Sequence, residues 1–177
     1  WCGVLDSSAG GMVKQPQTWL ISAVLLALFL GALDALIMSA AMPTIIAELS
    51  GLHLYAWVYS AYFLSRAVAL PIFGKLSDLF AVRKLFIISV TLFILASLAA
   101  GAAPSMGFLV AARVFQGMGS GGIFALVYVV LTEAAPRDQR AKTLSLASSI
   151  WGISSVIGPT LGGFIVSFFS WRWIFFI

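Results

Sequence analysis

Apolar residues fall into five long blocks along the chain, roughly 18–42, 54–73, 85–103, 107–131 and 143–169, with short polar punctuation between them. Each block reaches or approaches the ~20 residues that a helix rising ~1.5 Å per residue needs to cross hydrocarbon. The pattern therefore predicts five membrane-spanning helices. The first block carries no charge from Trp19 to Leu33, and Asp34 then interrupts it. A sixth apolar run opens at Trp171 and ends with the chain at Ile177, as expected of a sixth span cut short. Residues 1–17 read as a cytoplasmic leader, with Met12 as the expected natural start, and 18–177 as the bundle.

Composition agrees with the pattern. Charged residues make up 9 % of the chain and hydrophobic residues 62 %, against about 25 % charged in a soluble domain. So little charge leaves a water-facing surface uncovered. Lys14 followed by an apolar run has the form of a signal peptide, but four further spans argue against one. The lone Cys2 gives no disulfide framework.

The basic residues set an orientation. Lys14 precedes the first span, Lys75, Arg83 and Lys84 lie between spans two and three, and Arg137, Arg140 and Lys142 lie between spans four and five. The alternate connections around 43–53 and 104–106 hold no Lys or Arg. Basic residues stay on the cytoplasmic side, which places the N-terminus and both basic loops inside. The net charge of +4 is thereby a topology signal, and nucleic acid is not an expected partner. Loops of about ten residues or fewer leave no room for a soluble domain, so consecutive helices pack antiparallel in one bundle. Gly117 and Gly121, and Gly158 and Gly162, have the small-xxx-small spacing that lets helices approach closely in lipid.

Three ionisable residues fall inside the spans: Asp34, Arg66 and Arg113. Such groups cost several kcal/mol to insert, and survive where they are paired or line a wet cavity. Asp34 lies nine residues before Pro43, read as the outer end of span one, and Arg113 nine residues after Pro104, read as the outer start of span four. Nine helical residues are ~13 Å, so the acid and the base reach one depth and are expected to pair. In low dielectric a carboxyl group keeps its proton, and a nearby guanidinium makes it release the proton. A conformational change that separates the two is therefore a means of proton coupling; a purely structural ion pair is the other reading. Arg66, near the middle of span two with no acid close in sequence, either competes with Arg113 for Asp34, faces a central cavity beside Tyr62, or pairs with a partner in a missing half of the protein.

Four motifs, in order, resemble the major facilitator superfamily, specifically its fourteen-span drug:proton antiporters (EmrB/QacA-like multidrug exporters). Span one has Leu33-Asp34 with Ala41-Met42-Pro43, although Leu36 and Ser39 stand where that family has Thr and Asn. After span two come Gly74, Asp78 and Arg83 of the loop that the resemblance makes a cytoplasmic gate, with Leu79, Ala81 and Val82 replacing a basic residue, a glycine and a second basic residue. Span four carries Leu109, Arg113, Gln116, Gly117 and Gly119, where the resemblance assigns the arginine to proton transfer. Span five carries Gly152, Gly158, Pro159, Gly162 and Gly163, the pattern associated with antiporters. Trp171 to Phe175 resembles the family's entry into span six.

The expected fold is all-α, five complete membrane helices plus the start of a sixth, within the N-terminal half of a facilitator fold. The expected function is proton-coupled export of drugs or other small organic molecules across a bacterial inner membrane by alternating access, with substrate held between two halves. The expected partners are a small-molecule substrate, the lipid bilayer and a C-terminal half, without which this stretch is expected to be inactive. A metabolite exporter or solute:proton symporter of the same superfamily is the alternative. The proton gradient stands in place of a cofactor. No metal is expected, because the lone His53 has no Cys, His or acid cluster around it. Asp34 and Arg113 are the coupling candidates, and Arg66, Tyr62 and Gln116 the candidates for cavity or coupling roles, with Tyr59 and Phe63 as further aromatic lining.

Overall fold

The computed structural model describes residues 14–134 and 140–176, and within them the side chains of 22–133, 141 and 144–176. The readings of Met12 as a start, of 1–13 as part of the leader, and of Arg137 fall outside the described residues, as do the side chains of Lys14, Arg140 and Lys142. Five long helices follow in order: α1 (Lys14–Leu49), α2 (Tyr55–Leu79), α3 (Val82–Gly101), α4 (Met106–Ala134) and α5 (Arg140–Phe168). All five are long and apolar enough to cross a membrane. Helices suit this setting because each backbone donor and acceptor is satisfied within its own segment.

The helices outrun the apolar blocks. α1 continues through Pro43 to Leu49, so Pro43 does not close the first span. Proline lacks one N–H, and a single missing bond does not end a helix that the rest of its turn supports. The segment ends instead at Ser50 and Gly51, both at positive φ (56° and 86°). The Ser50 N–H donates to Ile46 O at 3.0 Å to close the last turn. Gly51 then opens a 3-10 turn, Leu52–Leu54, leading into α2. Between α2 and α3 only Phe80 and Ala81 stand outside the helices, where about ten loop residues were expected. Lys75 and Asp78 are on α2, and Arg83 and Lys84 open α3. Past Phe168 the chain forms a 3-10 segment, Trp171–Phe175, rather than the first turn of a sixth α-helix.

Helix α4 is the most enclosed of the five. It packs chiefly on α2 and α3, whereas α1 packs chiefly on α5 and more lightly on α4. Glycines allow close approach at several seams, with Gly119 and Gly122 of α4 against α3 among them. A Cβ on Gly121 would lie 2.6 Å from Arg66 O of α2, and one on Gly162 would lie 2.7 Å from Ile37 O of α1. Gly117 and Gly158 meet Tyr62 and Leu36 in the same way.

The core has two apolar clusters. One gathers Met38, Met42, Ile45, Val58, Leu109 and Phe175 at one end of the bundle. The other gathers Val24, Leu28, Phe124, Val127, Leu131 and Ala147 at the opposite end. Most of the buried and half-buried polar side chains lie between the two clusters: Asp34 on α1, Tyr62 and Arg66 on α2, Ser97 on α3, Arg113, Gln116 and Ser120 on α4, and Ser154 on α5. Ser89 of α3 is instead buried at the level of the second cluster, where its hydroxyl donates to Leu85 O. The bundle is an apolar shell around a polar middle layer.

Candidate functional site

The polar layer is built around α4. Arg113 and Gln116 are three residues apart, so they share one helix face, and that face looks at α1. Arg113 Nη1 donates to both carboxylate oxygens of Asp34, at 3.1 and 3.0 Å. It also donates to Gln116 Oε1 at 2.8 Å. Gln116 Nε2 in turn donates to Asp34 Oδ1 at 2.9 Å and to Ser97 Oγ at 3.2 Å. Ser97 Oγ donates to Phe175 O at 2.7 Å, which links the cluster through α3 to the C-terminal 3-10 segment. The side chains of Arg113 and Asp34 are 1 % and 9 % exposed. A charged pair this enclosed holds together because every charge is answered; removing one partner costs about 3–5 kcal/mol.

Tyr62 completes one wall. Its ring lies against the Arg113 guanidinium at 4.1 Å, and its hydroxyl donates to Ser120 Oγ at 2.9 Å. Phe175 borders the same guanidinium at 5.9 Å. Of the other two aromatic candidates, Tyr59 is half-buried against the first apolar cluster and Phe63 is 45 % exposed.

Arg66 stands apart from this cluster. Its guanidinium lies 3.6 Å over the Phe124 ring of α4 and 5.3 Å from that of Trp151 on α5. Phe124 and Trp151 meet edge to face with their centroids 5.8 Å apart. Buried polar atoms without a hydrogen-bond partner among the described residues are Arg66 Nη1, Arg113 Nε and Ser154 Oγ.

The remaining motif residues are not part of either group. Asp78 and Arg83 are exposed, and neither makes a hydrogen bond or ion pair among the described residues. A Cβ on Gly74 would have open space around it. In α5, Gly158 and Gly162 seat the helix on α1, whereas Gly152 and Gly163 face open space and Pro159 is exposed. The α5 helix runs through Pro159 without a break. At span one, where Leu36 and Ser39 stand in place of Thr and Asn, Ser39 Oγ donates locally to Leu36 O at 2.9 Å.

Sequence reasoning missed several participants. Ser97, Ser120, Phe124 and Trp151 carry no signal in one sequence, since serine and aromatic residues are ordinary in apolar helices. Glu48 was also passed over. It accepts from Trp171 Nε1 at 2.6 Å and pairs with Arg172, so it fastens the C-terminal segment to the end of α1. The lone acid near the end of the first apolar block and the lone arginine after span five were the available signal.

Comparison with known proteins now bears on this geometry. Residues 24–177 match the family model described as Major Facilitator Superfamily. The chain belongs to that superfamily. Among curated facilitator relatives, it is 37 % identical to the multidrug transporter protein MdtP of Bacillus subtilis (strain 168), over 93 % of this chain and 30 % of MdtP. It is 36 % identical to the efflux pump FUS6 of Gibberella moniliformis, over 93 % of this chain and 29 % of FUS6. This facilitator chain thus spans about 30 % of the length of those relatives. A crystal structure of a bacterial homologue of the human lysosomal transporter Spinster, inward-facing and unoccupied, superimposes with a TM-score of 0.75. That match is 20 % identical and covers 92 % of this chain and 37 % of the other; it speaks for the fold alone. The facilitator chain is therefore a multi-pass membrane protein whose relatives are transporters, not enzymes.

Proposed function

We propose that this chain belongs to a proton-coupled exporter of drugs or other small organic molecules, of the fourteen-span antiporter type. In this reading it sits in the bacterial inner membrane with its N-terminus in the cytoplasm. The observation that carries the reading is the enclosed Asp34–Arg113–Gln116 cluster. An ionisable pair in a membrane core is expensive to keep, and apolar replacements of buried pairs are often neutral or stabilising. Its presence is most simply explained by a task.

The chemistry follows from the contacts. Arg113 and Gln116 both donate to Asp34, a set of contacts that suits a carboxylate, which only accepts. A shift of α1 against α4 within this half, coupled to the rocking of the two halves, would draw Asp34 and Arg113 apart. Asp34, left in low dielectric without its cation, then takes up a proton. Gln116 suits both states, because its carboxamide has a donor end and an acceptor end and can turn over as Asp34 changes from acceptor to donor. Return to the paired state expels the proton. The name of FUS6, an efflux pump, agrees with an export direction. Gly74, Asp78 and Arg83 at the α2–α3 turn are assigned to closing the cytoplasmic side, and the proton gradient takes the place of a cofactor.

The test uses everted vesicles carrying the full-length transporter, with an acidic lumen and a fluorescent organic dye supplied outside, so that export reads as uptake. Asp34→Asn keeps the shape and one acceptor oxygen, replaces the other oxygen by a donor, and cannot exchange a proton. Gradient-driven dye movement should fall to the level of empty vesicles. Undiminished movement in that variant would remove Asp34 from coupling.

A further inference from the structure

Arg66 is a cation left over after every acid in the described structure has been accounted for. Four carboxylates lie among the described residues: Asp34, Glu48, Asp78 and Glu133. Asp34 is committed to Arg113 and Gln116, and Glu48 to Arg172 and Trp171. Asp78 and Glu133 are exposed at the far ends of α2 and α4. No carboxylate among the described residues is within ion-pair distance of Arg66, yet its side chain is 9 % exposed and Nη1 is buried without a partner. Tyr62 beside it offers a hydrogen bond but no full negative charge, and Asp34, already engaged by Arg113, acts on it only from a distance.

The surroundings give the site a shape. Helices α2 and α5 flank the α1–α4 pair without packing on each other. Arg66 reaches from α2 across Phe124 of α4 toward Trp151 of α5, so the guanidinium lies in the space between the flanking helices. Aromatic faces hold a guanidinium flat through cation–π attraction, and the unpartnered Nη1 leaves N–H donors of the planar fork for an oxyanion. Arrangement and charge point to the same ligand.

We propose that Arg66, with Phe124 and Trp151, is an anion subsite that takes the carboxylate or sulfonate of a substrate with a flat apolar body. This deepens the transport reading, on which it rests for the existence of a substrate. It names organic acids as a class the transporter accepts. Asp34 and Arg113 then handle the proton, and Arg66 reads the charge of the cargo.

Binding is measured without a gradient, so its outcome is independent of whether Asp34 couples transport to protons. Purified full-length transporter in detergent is titrated calorimetrically with 1-naphthoate and with 1-naphthylmethylammonium, which share an apolar body and differ in charge. The wild-type protein should bind the naphthoate at least about tenfold more tightly, as a charged hydrogen bond warrants. Arg66→Gln should erase that preference, and Arg66→Lys, which keeps the charge but loses the fork, should keep part of it. Equal or tighter binding of the ammonium by the wild type overturns the proposal, whichever variants fold. So does a preference that survives Arg66→Gln, and so does wild-type protein that binds neither probe, the result expected where an acid elsewhere in the transporter already neutralises Arg66.

Discussion

Arg113 is enclosed to 1 %, and the hydrogen bonds it donates all go to Asp34 and Gln116. Arg113→Leu would leave the Asp34 carboxylate buried without its cation, at a cost of about 3–5 kcal/mol. The double variant Asp34→Asn/Arg113→Leu should recover most of that loss, since no charge then remains to be answered. Thermal unfolding of the four proteins in detergent gives the coupling directly, and losses that simply add would contradict the pairing. The shared depth of the two residues was legible from counting along the helices, even though one landmark, Pro43, is interior to α1 rather than at its end. The Ser97 and Phe175 links were not legible, because a hydroxyl and a backbone carbonyl acquire meaning only when α3 and the C-terminal segment are brought against α4. The Phe124 and Trp151 cage of Arg66 was hidden for the same reason.

At the scale of the helix, hydropathy found all five elements and set their ends short. The apolar blocks mark what lies in hydrocarbon, whereas helical hydrogen bonding continues through Lys75, Asp78, Arg83 and Lys84 wherever the backbone allows. The connection of α2 to α3 was accordingly read as a loop when most of it is helix. Small-residue spacing was a better guide. The Gly117/Gly121 and Gly158/Gly162 pairs are the contact points of α4 on α2 and of α5 on α1. A side chain on Gly121 meets backbone, which cannot rotate away. Gly121→Val should therefore destabilise the protein by at least about 1–3 kcal/mol. Gly163→Ala, which enters open space, should change stability by less than ~0.5 kcal/mol. Melting temperatures measured side by side check this, and equal losses would mean that the seams are not where close approach matters.

Taken whole, the molecule is two apolar clusters around a polar layer, which confines the buried charges to mid-depth. Composition and span lengths were enough for the fold class, because a chain with 9 % charged residues has no other way to satisfy its surface. Orientation rests on the basic residues and has its own check. Leu52, 70 % exposed beside the α1–α2 turn, and Leu79, 73 % exposed beside the α2–α3 turn, lie at opposite ends of α2. With cysteine introduced at each, a membrane-impermeant maleimide should label position 52 in intact cells and position 79 only after permeabilisation. The reverse pattern would invert the topology. The middle layer is where proton and substrate would meet, and one measurement addresses that most directly. Saturating substrate is added to solubilised full-length transporter in weakly buffered solution, and the protons released are counted with an indicator dye. Binding that draws Asp34 back to Arg113 should release about one proton per transporter, as linkage between the two equilibria requires, and Asp34→Asn should release none. Equal proton release from the wild type and from that variant would contradict the account.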